Sequence, residues 1–494
     1  MLFNSLEFLL IFLPISLLAF HLIRIKYGGK WALYSLIIFS LAFYGWWNYP
    51  YLLLLCGTII INYGFSLLLW KKNNFLILVL AIGFNLALLG YFKYKNFFLE
   101  NFAYIFNTEW ELEPIFIPLA ISFFIFQQIA FLIDVQDGRV TRRPFAEFTL
   151  FISFFPQLIA GPIVLHREIR QQFEAIGKNE GAGFSFLGPG VVVFSVGLFK
   201  KVALADSIAP YSDLAFAIVE KLTLLEAWAA AIAFSLQLYF DFSGYADMAV
   251  GLGLMFGIVL PLNFKTPFRA TSMIDFWKQW HITMTRFFMM YLYTPIALYM
   301  ARSADERGLR SVPTFLLAAA IPILGTFLLS GLWHGAAWTF VMFGAVNAIG
   351  LIVNHAWKQF GFGKLPALLG WALTMLIIVL SFIFFRADSI EDAHRLIALM
   401  FSFGDIVLPN WLSSAAQSVG IPWRTLSLFT TGSYTVRLVA WIVLGVVFVF
   451  FLPNIAGMWK SLKPSWRTAG GTAIMLWLAI GLLGRPQNFI YFQF

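Results

Sequence analysis

The stretch that decides the fold is PTFLLAAAIPILGTFLLSGLWHGAAWTFVMFGAVNAIGLIV, residues 313–353, which contains no Asp, Glu, Lys or Arg. His334 stands near its centre, between apolar runs at 313–333 and 336–353. A helix needs about 20 mainly apolar residues to cross the ~30 Å hydrocarbon core of a bilayer. The stretch therefore predicts two membrane-embedded helices with an imidazole between them.

Apolar runs of similar length recur on both sides of this stretch. They lie at 6–23, 31–47, 51–70, 75–92, 115–133, 366–385 and 435–453, with shorter or interrupted runs at 148–165, 186–199, 226–240, 244–262, 283–300 and 470–484. The chain is 61% hydrophobic and 12% charged, and no soluble domain interrupts it. We expect an all-α polytopic membrane protein of roughly 11–13 membrane-embedded helices, some of them re-entrant, in a single domain over residues 1–494.

The distribution of Lys and Arg predicts the orientation of the chain in the membrane. Basic connections at 24–30, 71–72 and 139–143 alternate with connections that are uncharged or mostly acidic. Because Lys and Arg accumulate in cytoplasmic loops, the N-terminus is expected outside. Both 166–178 and Lys200-Lys201 also look cytoplasmic, so a short element near 148–165 is expected to enter the membrane and return.

Charge and cysteine content exclude several classes of function. The net charge of +9 is typical of a membrane protein with basic cytoplasmic loops, so it gives no reason to expect a nucleic-acid partner. Cys56 is the single cysteine, which excludes an intrachain disulfide and a thiolate metal cluster. No two histidines flank a Glu at helical spacing, so no metal site is predicted.

Ionisable side chains inside membrane spans are costly, and they tend to line cavities or pathways. His334 is the strongest candidate, because neutral imidazole takes and gives a proton near neutral pH. Gly331 and Gly335 form a small-xxx-small pair that lets another backbone approach closely. When only the residues are considered, a catalytic role for His334 and a structural role as a hydrogen-bonded core histidine are equally well supported.

The segment DFWKQWH, residues 275–281, is the second candidate. Ser272 precedes it at capping-box spacing, so a helix is expected to begin here. The residues that would share or flank one face of that helix are Trp277, His281, Thr285 and Trp280. An interfacial Trp-rich helix is favoured over a cavity wall when only these residues are considered.

The segment QLYFDFSGYAD, residues 237–247, places two carboxylates in an apolar setting. Gln237, Asp241 and Tyr245 fall on one helical row, and Tyr239, Ser243 and Asp247 on the adjacent one. Buried carboxylates need hydrogen-bond partners or water. Structural hydrogen bonding between helices explains them at least as well as catalysis does.

The segment FPQLIAGP, residues 155–162, cannot form a continuous helix, because Pro156 and Gly161-Pro162 interrupt it. Irregular backbone at membrane depth must be buried or line a cavity. His166, which follows, is expected to be an exposed interfacial histidine. These observations describe a proton-coupled transporter as well as an enzyme, but the polar blocks do not recur in both halves of the chain, which favours an enzyme.

Taken together, the blocks resemble the membrane-bound O-acyltransferases, most closely the bacterial branch with the membrane subunit of alginate O-acetylation and the D-alanyl transfer protein of teichoic acids. The matching phrases, in order, are MLFNS (1–5), FYGWW (43–47), FPQLIAGP (155–162), LFKK (198–201), QLYFDFSGYAD (237–247), DFWKQWH (275–281), GLWHG (331–335), FRAD (385–388) and FIYFQF (489–494). They span nearly the whole chain in the family's order.

The resemblance implies that His334 is the catalytic histidine and that His281 occupies the second motif position. It implies a tunnel across the membrane, and the residues expected to bind substrate or line this tunnel are Gln237, Tyr239, Asp241, Ser243, Asp275, Trp277, Trp280 and Trp333. No permanently bound cofactor is expected. An acyl thioester, either acetyl-CoA or an acyl-carrier protein, is expected to enter as substrate from the cytoplasm.

The resemblance further implies that an acyl group, expected to be acetyl, crosses the bacterial inner membrane for O-acylation of a cell-envelope or exported polysaccharide. A periplasmic or extracellular acyltransferase is the expected partner protein. Two alternatives stay open: direct acylation of a lipid or protein hydroxyl, and a histidine-containing proton-coupled transporter. One departure matters, because Met289-Met290 and Ala297-Leu298 stand where the family usually has Arg-Asp and Gly-Gly. If the Arg-Asp pair serves donor or partner docking, this chain has a different donor or partner.

Overall fold

Helices form all the regular secondary structure in the part of the chain that the structure describes. The computed structural model describes residues 1–110, 112–181, 183–402, 418, 432–483 and 489–490. The chain groups into two compact units: Met1–Phe199, Gly244–Asn263 and Ile455–Gly484 form the first, and Lys200–Ser243, Phe264–Asn454 and Arg485–Phe494 form the second. The predicted all-α class is confirmed, and a single domain over 1–494 stays a prediction. The last four residues of FIYFQF lie outside the described residues.

Six helices in the described ranges are long and apolar enough to cross a membrane. They are Phe8–Tyr27, Tyr49–Lys71, Phe75–Phe106, Val312–His334, Trp338–Gln359 and Ala367–Arg386. Large apolar side chains on these helices, such as Leu10, Leu53 and Leu368, are exposed, as expected of surfaces that face lipid rather than water. The predicted polytopic membrane protein is confirmed, whereas the total of 11–13 embedded helices stays a prediction.

The first unit contains most of the N-terminal helices and one helix from near the C-terminus. Their bounds are Leu13–Tyr27, Gly29–Trp47, Tyr49–Lys71, Phe75–Leu89, Lys95–Phe106, Ile121–Gln136, Phe145–Ser153, Phe155–Leu158, His166–Gly177, Leu187–Phe199 and Trp466–Leu482. Buried amides join three of these helices: Asn62 donates to Gln128 at 2.6 Å, and Asn85 donates to Asn62 at 2.6 Å. Amide side chains can hold apolar helices together in this way, because hydrophobicity does not drive association within lipid.

The predicted break at 155–162 is present in this unit. Helix Phe155–Leu158 has a single turn, and residues 148–166 are buried throughout. Irregular backbone is tolerated at membrane depth when protein surrounds it. The prediction of an exposed His166 is wrong: its ring is buried, and Nε2 lies 3.0 Å from Glu147. The Arg170 guanidinium in the same helix lowers the pKa of Glu174.

Helix Leu224–Met255 carries residues of both units. The sequence predicts two interrupted runs here, at 226–240 and 244–262, but a single helix of 32 residues continues through Gly244. The helix packs closely against helix Leu187–Phe199 at this point, because a Cβ on Gly197 would collide with the Gly244 carbonyl oxygen. Gly197 therefore permits a close helix contact beside the predicted interruption.

The second unit contains the predicted hairpin. Its helices are Asp206–Ala217, Met273–Trp277, Ile282–Phe288, Thr294–Glu306, Val312–Phe315, Ile321–His334, Trp338–Gln359, Ala367–Arg386, Ile390–Met400 and Gly432–Phe451. Glycines bring the two arms of the hairpin together, since a Cβ on Gly331 would overlap the Phe340 carbonyl oxygen and one on Gly344 would overlap the Phe327 carbonyl oxygen. The packing face predicted from Gly331 is therefore present.

Gly331→Ala is expected to destabilise this hairpin. The added methyl group has no space beside the Phe340 carbonyl oxygen, and overpacking of this kind costs about 1–3 kcal/mol. Thermal unfolding of the purified protein in detergent measures the change. Gly325→Ala in the same helix is the matched control, because nothing lies within 4 Å of its Cβ position. Equal melting temperatures for the two variants would contradict the packing described here.

Candidate active site

His334 is the last residue of helix Ile321–His334, where the chain turns towards Trp338–Gln359. Gly335 follows in extended conformation, and a Cβ at this position would collide with the Phe340 ring. Glycine is therefore required directly after the histidine. The short connection fixes the imidazole at the end of a rigid helix.

Aromatic rings from three helices surround the His334 imidazole, which is only 4% exposed. Phe343 lies 5.6 Å from it and Phe385 lies 5.3 Å from it, both measured between ring centroids, and Trp333 is its neighbour in the chain. These contacts restrict the ring to one orientation in a dry, apolar setting. Electrostatic interactions with a reacting group are stronger in such a setting than in water.

His281 is fully buried, and its backbone adopts the left-handed conformation with φ +42°. The predicted continuous helix with Trp277, His281 and Thr285 on one face is wrong. Helix Met273–Trp277 begins at the Ser272 cap as predicted but ends before the histidine, and helix Ile282–Phe288 begins after it. A left-handed conformation at a residue other than Gly costs about 1–3 kcal/mol, and such strain concentrates at functional sites.

The two histidines come together in the second unit. Their ring centroids are 6.3 Å apart, and the Phe242 ring packs against His281 at 4.6 Å. At this separation the ring nitrogens cannot hydrogen-bond each other, since that requires heavy atoms within ~3 Å. A reacting atom between the rings could contact both, which is the geometry that proton transfer to or from a substrate requires.

A buried ion cluster joins Asp241, on the helix that carries Phe242, to the preceding segment of the chain. The Lys201 ammonium is 2.5 Å from the Asp241 carboxylate and 2.7 Å from the Asp206 carboxylate. The backbone N–H of Ile490 donates to Asp241 at 2.9 Å. The Lys201 side chain is 3% exposed, whereas the cytoplasmic location predicted for Lys200-Lys201 stays a prediction. Asp241 therefore ties the C-terminal segment to this helix, and a direct contact with substrate stays a prediction.

The other predicted site residues all lie in the second unit. Tyr239 and Trp280 belong to an aromatic cluster in which their rings are 6.2 Å apart and Phe276 stacks on Trp280. Gln237 and Ser243 are buried on the same helix as Tyr239. The remaining positions are Trp333, whose ring lies 6.0 Å from His281, Trp277, which lines a cavity, and Asp275, which is in the first turn of its helix.

An all-α fold with several apolar helices of membrane-spanning length defines a polytopic membrane protein, and this one contains two adjacent buried histidines. The model of the membrane-bound O-acyltransferase family matches residues 139–385, a range that contains both histidines. The chain belongs to the membrane-bound O-acyltransferase family. The resemblance found in the sequence is thereby confirmed.

Three relatives illustrate the breadth of this similarity. The chain is 35% identical to the peptidoglycan O-acetyltransferase of Helicobacter pylori, an alignment that covers 100% of this chain and 98% of the relative. It is 34% identical to a probable alginate O-acetylase of Azotobacter vinelandii, over 88% of this chain and 85% of the relative. It is 25% identical to the teichoic acid D-alanyltransferase of Streptococcus thermophilus, over 54% of this chain and 68% of the relative.

The family membership makes this chain an acyl-transferring enzyme of the membrane. The transporter alternative is therefore wrong. The sequence could not decide this point, because a histidine in an apolar span suits both classes of protein.

Proposed function

We propose that this enzyme moves an acyl group, expected to be acetyl, from a cytoplasmic thioester across the membrane for O-acylation of a cell-envelope or exported polysaccharide. The observation that carries the proposal is the pair of buried histidines, whose rings are 6.3 Å apart at the end of a spanning helix. The names of the relatives support an acetyl group and a polysaccharide acceptor.

In the proposed reaction, an acceptor hydroxyl oxygen attacks the carbonyl carbon of the thioester. His334 removes the hydroxyl proton as the C–O bond forms, because a neutral imidazole is a suitable base at neutral pH. The tetrahedral intermediate then collapses, the C–S bond breaks, and the imidazolium returns the proton to the thiolate sulfur. The products are an ester and a free thiol.

His281 is proposed to assist this step from the opposite side of the reacting atom. An N–H of its ring, or the indole N–H of Trp280 or Trp333, would donate a hydrogen bond to the oxyanion as charge develops there. The strained backbone of His281 supports a role that requires a fixed ring orientation. Asp241 is proposed to position this region, since it already pairs with Lys201 and Ile490.

The proposed direction of transfer follows from the charge distribution. Basic connections at 24–30, 71–72 and 139–143 support a cytoplasmic location for these loops and an N-terminus on the outer side of a bacterial inner membrane. The thioester donor, acetyl-CoA or an acyl-carrier protein, would then enter from the cytoplasm through a tunnel. A periplasmic or extracellular acyltransferase would receive the acyl group on the other side.

The acceptor class is tested in a strain that lacks the gene. Mass spectrometry compares O-acyl content in envelope polysaccharide, lipid and protein fractions before and after the gene is restored. We expect polysaccharide O-acyl groups to disappear on deletion and to return on complementation. An unchanged polysaccharide with loss of acyl groups from lipid or protein would contradict the proposal and favour direct acylation of those hydroxyls.

A further inference from the structure

A cavity of about 530 Å³ lies in the second unit, and Trp277 is the one member of the predicted tunnel set among its lining residues. Its wall is formed by helices Ile321–His334 and Trp338–Gln359 and by the segment 274–293. Its volume is within the range of ~300–1,000 Å³ that accommodates a drug-sized ligand. The two histidines of the proposed reaction are not among its lining residues.

The cavity has an apolar body and a basic end. Ile323, Phe327 and Leu351 contribute to the apolar part of the wall. The charged or titratable residues on the wall are Lys278, Arg286, Tyr293 and His355, and no Asp or Glu is among the lining residues. A site with cations and no carboxylate favours an anionic ligand.

The basic end lies towards the end of a spanning helix. Ile274 N–H donates to the Asn354 side chain at 3.1 Å, and Lys278 acts electrostatically on His355, so these groups share one end of the cavity. The other end of the cavity lies near Ser330, which is beside Gly331 and therefore close to the Phe340 carbonyl oxygen of helix Trp338–Gln359. His355 is fifteen residues after Phe340 on this helix, so it lies roughly 20 Å further along the helix axis.

Two buried polar groups on the wall have no hydrogen-bond partner within the described ranges. They are the indole Nε1 of Trp277, a residue 4% exposed, and the hydroxyl of Thr326, a residue 6% exposed. Each can donate a hydrogen bond, and a buried donor without an acceptor costs about 1–3 kcal/mol. Ester carbonyl oxygens of a ligand would satisfy both donors.

The cavity is open on a side that carries an exposed apolar residue. Met289 is on its wall and is 46% exposed, within a π turn that follows helix Ile282–Phe288. Since the neighbouring helices are long and apolar enough to cross a membrane, this opening is expected to face the hydrocarbon of the bilayer. A ligand can therefore enter laterally from the membrane.

We propose that this cavity binds an anionic glycerophospholipid from the surrounding bilayer. An acyl chain occupies the apolar body along Ile323 and Phe327, and its ester carbonyl accepts from Trp277 or Thr326. The phosphate interacts with Lys278 and His355 at the basic end, and Arg286 adds a further positive charge to the wall. The predominantly apolar wall suits an acyl chain better than the amide-rich arm of a thioester donor. This proposal does not depend on the proposed acyl transfer.

Native mass spectrometry of the purified full chain tests the charge requirement. Phosphatidylglycerol is added, and the bound fraction gives an apparent Kd. The double variant Lys278→Gln/Arg286→Gln is expected to bind about 25-fold more weakly, from about fivefold for each cation. Arg302→Gln/Arg307→Gln is the matched control, because both residues are exposed and neither lines the cavity. Equal weakening in the two double variants would overturn the proposal.

Fluorescence quenching by phosphatidylglycerol with brominated acyl chains tests the location of the chain. Quenching is expected in the wild type and reduced in Trp277→Phe, but unchanged in Trp357→Phe, whose indole donates to the Gly363 carbonyl outside the cavity. Coenzyme A in excess is added as a competitor. Loss of the Trp277-dependent quenching on its addition, or no dependence on Trp277, would overturn the assignment to a lipid.

Discussion

His334→Ala is expected to reduce the rate of acyl transfer by about 10²–10⁴-fold while the protein remains folded, because the step loses its general base. The side chain lies at the end of helix Ile321–His334 and packs against the rings of Phe343 and Phe385, so its removal is expected to leave the backbone of the hairpin intact. The initial rate of thiol release from acetyl-CoA by the purified protein, measured with envelope polysaccharide as acceptor, gives the loss.

His394→Ala is the matched control for this measurement. His394 is exposed on helix Ile390–Met400 and distant in sequence from the proposed chemistry. Melting temperatures of both variants establish that each is folded. A folded His334→Ala enzyme with the rate of His394→Ala would contradict the assignment of the base.

Lys201→Met is expected to lower the free energy of unfolding by about 3–5 kcal/mol, since it leaves buried carboxylates without a counter-charge. The Lys201 ammonium contacts both Asp206 and Asp241, and it is 3% exposed. Asp241 also holds the Ile490 N–H, so the C-terminal segment is expected to loosen as well. Thermal unfolding and protease digestion from the C-terminus measure the two effects.

Two further variants separate lost charge pairing from a general effect of substitution. Lys265→Met removes an exposed cation from the same unit and is expected to be neutral. Lys201→Met/Asp206→Asn/Asp241→Asn leaves no charge in the cluster and is expected to recover most of the loss, because the desolvation cost disappears with the pairing. A single variant Lys201→Met as stable as Lys265→Met would contradict the ion cluster.

The hairpin around His334 was predictable from sequence because its information is local. Residues 313–353 contain the apolar length, the glycine pair and the histidine, and the structure adds only the carbonyl oxygens that Gly331 and Gly344 approach. By contrast, the polar residues between the runs 226–240 and 244–262 predict an interruption, and the structure has one continuous helix there. Polar residues that are buried inside a protein and polar residues that end a helix look the same in one sequence.

The site itself depended on contacts between distant residues, which no pattern contains. The Ser272 cap and the helical spacing of the following residues both predict a helix through His281. In the structure His281 instead has a left-handed backbone conformation between two short helices. The sequence places Lys200-Lys201 after an apolar run and does not indicate that Lys201 is buried. Its ion pair with Asp206 depends on the π turn Lys200–Ala205, which makes residues five apart neighbours and which the sequence pattern does not predict.

The central claim is that an acyl group passes from a donor on one side of the membrane to an acceptor on the other. Proteoliposomes with the chain in one orientation test it most directly. Labelled acetyl thioester is supplied on the cytoplasmic face, and polysaccharide with the partner acyltransferase on the opposite face. We predict labelled ester on the polysaccharide, absent with His334→Ala. Label confined to the donor side, or transfer unaffected by His334→Ala, would contradict the claim.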